Sequence, residues 1–346
     1  MSEMSEMSEM SAFAERMTQL MGRWPQPAPL EALVEERVDL GDVVRERISY
    51  AVEAGERVPA YLLLPGDVRP DERRPGVFAH HQHAGQFHLG KSEVAGLAGD
   101  PEQAYALELA RRGYVVLAPD AICFEERGPH RGSLDPPRDP APGRDFERFE
   151  FTRRILNGSC LQTKLVWDMR RGLDYLQSRP EVDSDRLGCI GHSLGGQQTL
   201  FLAALDGRVR AAVSSCGFAS MRAVLREGIN HNFGAYVPGW LEHGDVGDLL
   251  ASVAPRAFLA LNGEADRIFP IDGLHDSFAV ARQAYAVAVP TPPGVTRYAR
   301  STREPSGCGA PGAAERLDLG VYPGGHGFTA EMRSRAYAWL DRWLRG

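Results

Sequence analysis

Residues 186–204, RLGCIGHSLGGQQTLFLAA, crowd glycines around one serine where an apolar run hands over to a helix-like run. Gly191-His192-Ser193-Leu194-Gly195 has the spacing G-x-S-x-G, with Gly196 directly behind. A serine on a sharp strand-to-helix turn must take strained backbone angles. Close chain packing around the turn leaves no room for β-carbons at the flanking positions. The turn lifts the hydroxyl above the sheet edge and sets the next amides at a helix N-terminus, where negative charge is favoured. The pattern therefore predicts an oxygen nucleophile, Ser193, beside an anion site. The competing reading is a tight structural turn.

A serine hydroxyl is a weak nucleophile at its own pKa and needs a base that is itself oriented. On such a turn the partners follow later in the chain, the acid before the histidine. RAFLALNG (256–263) reads as a strand and runs into EADRIFP, offering Asp266, with Glu264 as competitor. ERLDLGVYP (315–323) runs into GGHGF, offering His326 on a loop whose glycines let the imidazole swing towards Ser193. His275 opens a predicted helix and reads as a surface or capping residue.

An oxyanion hole needs two backbone N–H groups. Leu194 supplies one. The other is expected from HHQHAGQFHLG (80–90), where Gln82 and His83 are candidates and His83 is preferred. His80, His81, His83 and His88 also raise a metal site. His80 and His81 point to opposite faces of a strand, and no nearby carboxylate or cysteine completes a set, so no metal is expected.

These residues need a rigid frame. VVRERISYAVEAGERVPAYLLLP (43–65) reads as a hairpin around Ala54-Gly55. Strands then alternate with helices: strands at 75–81, 114–120, 186–190, 209–216, 256–263 and 315–323; helices at 101–113, 160–179, 193–205, 275–287 and 329–344. An antiparallel pair followed by six such strands calls for a largely parallel α/β sheet covered on both faces. Two stretches break the rhythm, about 121–159 and 217–252. Both follow strands, so both are expected as lid segments at the sheet edge where open α/β folds bind ligands. Phe124 and Arg127 from the first, and His231, Phe233 and Trp240 from the second, are the candidate pocket residues.

Phe13, Met17, Leu20, Met21 and Trp24 fall at helical spacing, which makes 13–42 an N-terminal helical arm that docks on its own body or on a second subunit. Residues 1–12 carry the MSEMSEMSEM repeat and are expected to be a disordered tail. Residues 43–346 are expected to form one domain, and 300–314 a mobile loop within it.

The 346 residues are 43% hydrophobic, enough for a large core, and the net charge of −7 gives no electrostatic case for nucleic acid or an anionic membrane. Five cysteines without a CxxC suit a reducing cytoplasm, and no secretory or membrane-spanning pattern is expected. Lysine occurs only as Lys91 and Lys164 against many arginines, read here as codon bias and not as chemistry.

ISYAVEAGERVPAYLLLP, HHQHAG with GKSEVAGLAGD, ELARRGYVVLAPDAICFEERG, GHSLGG, VAPRAFLALNGEADRIFPIDG and GGHGF, in this order, resemble the α/β-hydrolase superfamily. Within it they are similar to the dienelactone hydrolase and acetyl xylan esterase-like branch, over about residues 43–346. The resemblance implies the α/β-hydrolase fold with a mostly parallel eight-stranded sheet, a Ser/Asp/His triad and no cofactor. Two departures stand out. Dienelactone hydrolases proper use a cysteine nucleophile where this chain has Ser193, which argues against dienelactone activity. Many relatives read His-Gly in the oxyanion loop where this chain has His81-Gln82. The expected activity is that of a serine ester hydrolase acting on a small or medium-sized ester. The same triad could transfer the acyl group, cleave an amide or cleave a carbon–carbon bond, and a non-catalytic binding module is the remaining reading.

Overall fold

The computed structural model describes residues 3–69, 71–129, 142–288 and 312–346, with side chains of the first helix described from Ala12. Among these residues nine strands form one sheet: β1 (Leu33–Asp39), β2 (Val43–Glu53), β3 (Glu56–Pro65), β4 (Arg74–His80), β5 (Val115–Pro119), β6 (Val182–His192), β7 (Val209–Ser215), β8 (Ala257–Gly263) and β9 (Leu317–Tyr322). Their order is β1-β2-β3-β5-β4-β6-β7-β8-β9. The first three strands and the β3–β5 contact are antiparallel, and β5 through β9 are parallel.

The sheet thus has one strand more than the eight expected. The extra strand, β1, lies in the arm that the sequence suggested was helical. Its LVEERVD is solvent-exposed along nearly its whole length on the sheet edge, so it lacks the in-out alternation that marks a half-buried strand.

Among the described residues, seven longer helices accompany the sheet: α1 (Glu3–Leu20), α2 (Tyr105–Arg111), α3 (Arg144–Leu156), α4 (Leu161–Ser178), α5 (Leu194–Leu205), α6 (Ile271–Ala288) and α7 (Ala330–Leu344). Strand side chains alternate between two cores. Phe78, Phe258 and Ala260 face a core built with α4, α5 and α6; Val77, Ala79 and Leu259 face one built with α2 and α7. This is the two-sided cover a parallel sheet requires. α1 begins inside the MSE repeat, where disorder was expected, and its Met17, with Met21 just after it, is fully buried against the chain's own first core.

Of the two predicted lids, the first holds a short turn at Glu125–Arg127 and α3, with 130–141 outside the described residues. The second holds short helices at Met221–Arg226, Trp240–His243 and Val246–Ala251. The loop expected at 300–314 lies, up to residue 311, outside the described residues. A third apolar cluster sits over the strand ends, joining Ile122, Phe124 and Phe146 to Leu161, Leu165 and Leu194. It ties the 121–159 segment to the starts of α4 and α5.

The two lysines are not incidental. Both side chains are completely buried. Lys91 Nζ lies 2.8 Å from Asp120, 2.5 Å from Glu125 and 2.8 Å from Glu126. Lys164 Nζ lies 3.0 Å from Glu56 and 2.9 Å from Asp168 and also pairs with Glu53. Each is an internal cation neutralising several carboxylates. Among the described residues no helix is long and apolar enough to cross a membrane.

Candidate active site

β6 ends at His192 and α5 begins at Leu194, so Ser193 alone forms the turn. Its φ of 57° and ψ of −119° lie where residues with a β-carbon are rarely found. The flanking glycines make this approach feasible. A β-carbon on Gly191 would stand 2.3 Å from the Gly195 carbonyl carbon, one on Gly195 2.3 Å from His80 O, and one on Gly196 2.7 Å from Ser215 O. The Ser193 N–H donates to Ser215 O at 2.9 Å, tying the turn to β7.

His326, in the loop between β9 and α7, brings Nε2 to 2.9 Å from Ser193 Oγ and Nδ1 to 2.8 Å from Asp266 Oδ2. Asp266 lies just past β8, and its Oδ1 accepts the N–H groups of Ile268 at 2.8 Å and Phe269 at 3.1 Å. Burial pushes the Asp266 carboxyl up. The hydrogen bond and charge of His326, with the two backbone N–H groups, outweigh burial and hold it below the usual carboxylate value. An ionised Asp266 requires the proton on Nδ1, which leaves the Nε2 lone pair for the serine hydroxyl. Glu264 is exposed, and its backbone N–H bonds to Tyr322 O. His275 is exposed on α6. The structure thus brings together Ser193, Asp266 and His326 from the candidates.

Leu194 is the first residue of a twelve-residue helix, so its N–H has no acceptor within that helix. The loop after β4 is braced by its histidines. His81 Nδ1 donates to Gln82 O at 2.8 Å, and Nε2 accepts from the Ala121 N–H at 3.0 Å. This fixes one neutral tautomer, and burial lowers its pKa to about 4. His83 Nδ1 accepts from the Gly85 N–H at 3.0 Å while Nε2 faces Glu147 at 3.3 Å. The Gln82 amide donates to Glu93 at 3.1 Å. Burial drops His80 to about 3. The His81 and His83 rings thus brace the loop through their hydrogen bonds.

The candidate pocket residues divide. Phe124 stacks on Phe87 and meets the edges of His81 and His83, with ring centroids 4.9–5.1 Å apart. Phe233 packs on Phe151, and its N–H donates to Glu147. His231 Nε2 donates to Ile268 O at 3.1 Å and its ring lies 4.5 Å from Phe269, so it abuts the Asp266 loop. Arg127 and Trp240 are anchored in the interior. Arg127 is buried between Glu56 and Asp168, because a guanidinium in the interior needs carboxylates on hand. With His81 and Leu194 it lines a cavity of about 30 Å³. Trp240 packs on Phe201 in the first core.

Three residues at the site escaped the sequence reading. Glu147 of α3 holds both His83 and the Phe233 N–H, and no local pattern marks it. His192, the residue directly before Ser193, lays its ring 4.9 Å from His326. Cys216, directly after β7, has a φ of 44° and its Sγ lies 3.5 Å from Gly327 O, beside the histidine.

Comparison with known proteins fits this architecture. The family model described as "Dienelactone hydrolase family" matches residues 92–234. The Bacillus subtilis protein named "Putative hydrolase YtaP" is 30% identical over 340 residues, spanning 96% of this chain and 99% of its own length. A glucuronoyl esterase from Solibacter usitatus superposes with a TM-score of 0.66 at 15% identity, covering 96% of this chain and 92% of its own. An acetyl xylan esterase from Paenibacillus sp. R4 gives a TM-score of 0.60 at 19% identity, covering 98% and 93%. The last two likenesses concern the fold alone. With the first two, they place the sequence: this chain belongs to the dienelactone hydrolase family of α/β-hydrolases.

Proposed function

We propose that the protein is a serine ester hydrolase that works through an acyl-enzyme. Ser193 attacks the ester carbonyl while His326 Nε2 takes its proton, and Asp266 holds the imidazole and stabilises the imidazolium. The Leu194 N–H, with that of His83 or Gln82, receives the developing oxyanion. His326 then protonates the leaving alcohol. It next activates water, which releases the acid.

The observation that carries this reading is the unbroken chain of hydrogen bonds from Ser193 Oγ through His326 to Asp266, at 2.9 and 2.8 Å. The serine on a strained turn supports it, as do structural neighbours that are themselves esterases. The walls formed by Phe124, Phe233 and His231 are aromatic and partly polar, which suits a small or medium-sized ester over a long lipid chain.

The test is a panel of esters varied in acyl length and alcohol, run beside Ser193→Ala and a fluorophosphonate label. Turnover and labelling that both vanish in the variant support the mechanism. Labelling elsewhere, or turnover that survives the substitution, overturns it.

A further inference from the structure

Among the described residues, two groups of potential metal ligands are drawn together. One is Asp120, Glu125 and Glu126. Its centre is already filled by the Lys91 ammonium, so it has no call for a second cation. The other is Cys216, Asp266 and His326, whose ligand atoms all lie within 4.8 Å of one another. Here only protons separate a thiol, a carboxylate and an imidazole. We propose that Cys216, Asp266 and His326 form an inhibitory site for a thiophilic divalent cation, Zn²⁺ or Cd²⁺.

The donor set is the argument. A thiolate, an imidazole nitrogen and a carboxylate oxygen are the ligands a borderline-soft cation prefers, and with water as the fourth they complete a tetrahedron. Drawing the ligands to roughly 2.0–2.3 Å from an ion asks for movements of about 1 Å. Charge favours it too, since a carboxylate and a thiolate around a divalent ion leave a buried set with no net charge. Cys216 is held in place for this. Its backbone has a φ of 44°, its N–H donates to Leu261 O at 2.7 Å, and its thiol faces Gly327 O, one residue past His326. His326 is the partly exposed member through which an ion would enter.

Binding would switch off the base by tautomer. The cation takes the Nδ1 lone pair, so the ring proton moves to Nε2, and the thiol proton leaves to solvent. Nε2 then has no lone pair to accept from Ser193. This inference rests on the triad reading above, and its test is built to fail separately from that reading.

Zinc chloride is expected to inhibit ester turnover by the wild-type protein, with a chelator restoring it. Cys216→Ala should weaken that inhibition by at least about tenfold. Cys216→Ser, nearly isosteric, serves if the alanine variant does not fold. Independently of turnover, titration with cadmium chloride should produce a cadmium–thiolate charge-transfer band in the ultraviolet that is larger in the wild type than in the variant. Equal inhibition, or an equal band, in the two proteins overturns the site. If no ester is turned over by either protein, the triad reading has failed and the cadmium titration alone decides the metal site.

Discussion

His326 Nε2 stands 2.9 Å from Ser193 Oγ although the two are 133 positions apart in the chain. The sheet makes the meeting possible. Ser193, Asp266 and His326 follow β6, β8 and β9, which run parallel, so all three emerge at the same edge. That edge is where open α/β sheets hold their ligands.

Ser193→Ala and His326→Ala should each lower kcat by about 10⁴-fold or more, and the double variant should be hardly worse than either, because the two groups act as one unit. Steady-state kinetics with circular dichroism as a fold control decides this. A double variant whose losses multiply would mean the residues work independently.

Asp266→Asn should keep the hydrogen-bond geometry yet favour the wrong imidazole tautomer, at a cost near ~10⁴ in kcat. Glu264→Gln, at an exposed position, should be close to wild type. The opposite ranking in a side-by-side assay would move the acid to Glu264.

Gly195→Ala should damage the turn itself. Its β-carbon would meet His80 O at 2.3 Å, so either β4 or α5 must shift. A loss of about 1–3 kcal/mol or more is expected in denaturant unfolding, together with lost turnover. Gly207→Ala is the matched control, since nothing lies within 4 Å of its added β-carbon. Equal midpoints for the two variants would refute the steric account.

Glu56 sets an acid limit on stability. Burial pushes its carboxyl up, but Arg127 and Lys164 outweigh burial and lower its pKa to about 2. A carboxyl depressed in the folded state stabilises above its unfolded pKa, and that contribution is lost as pH falls from about 4.5 towards 2. The drop corresponds to about 3 kcal/mol. Glu56→Gln should therefore be less stable at pH 7 and show a flatter decline across this acid window. Parallel stability–pH curves for the two proteins would contradict it.

The parts of this molecule written in local pattern were legible from sequence. β6, the glycine turn and α5 announce themselves within nineteen residues, and the strand leading to Asp266 is an apolar run of the kind a parallel sheet buried on both faces requires. What escaped depends on partners distant in the chain. Arg127 reads as a pocket residue because it follows Phe124 past a strand end, but the carboxylates that hold it, from β3 and α4, are invisible to that spacing. β1 escaped for another reason: a strand exposed on a sheet edge has no apolar face to reveal it. Glu147 is one charge among many in α3, and only the tertiary fold shows it holding two loops of the site.

Both lysine side chains being sealed inside leaves the outer surface without a single ε-amine among the positions of this sequence. Reagents that couple through amines, such as succinimidyl dyes, aldehyde fixatives and amine-reactive resins, would find no side-chain handle on the folded protein. Uptake of such a label at Lys91 or Lys164 would therefore report unfolding around the buried carboxylates that hold them.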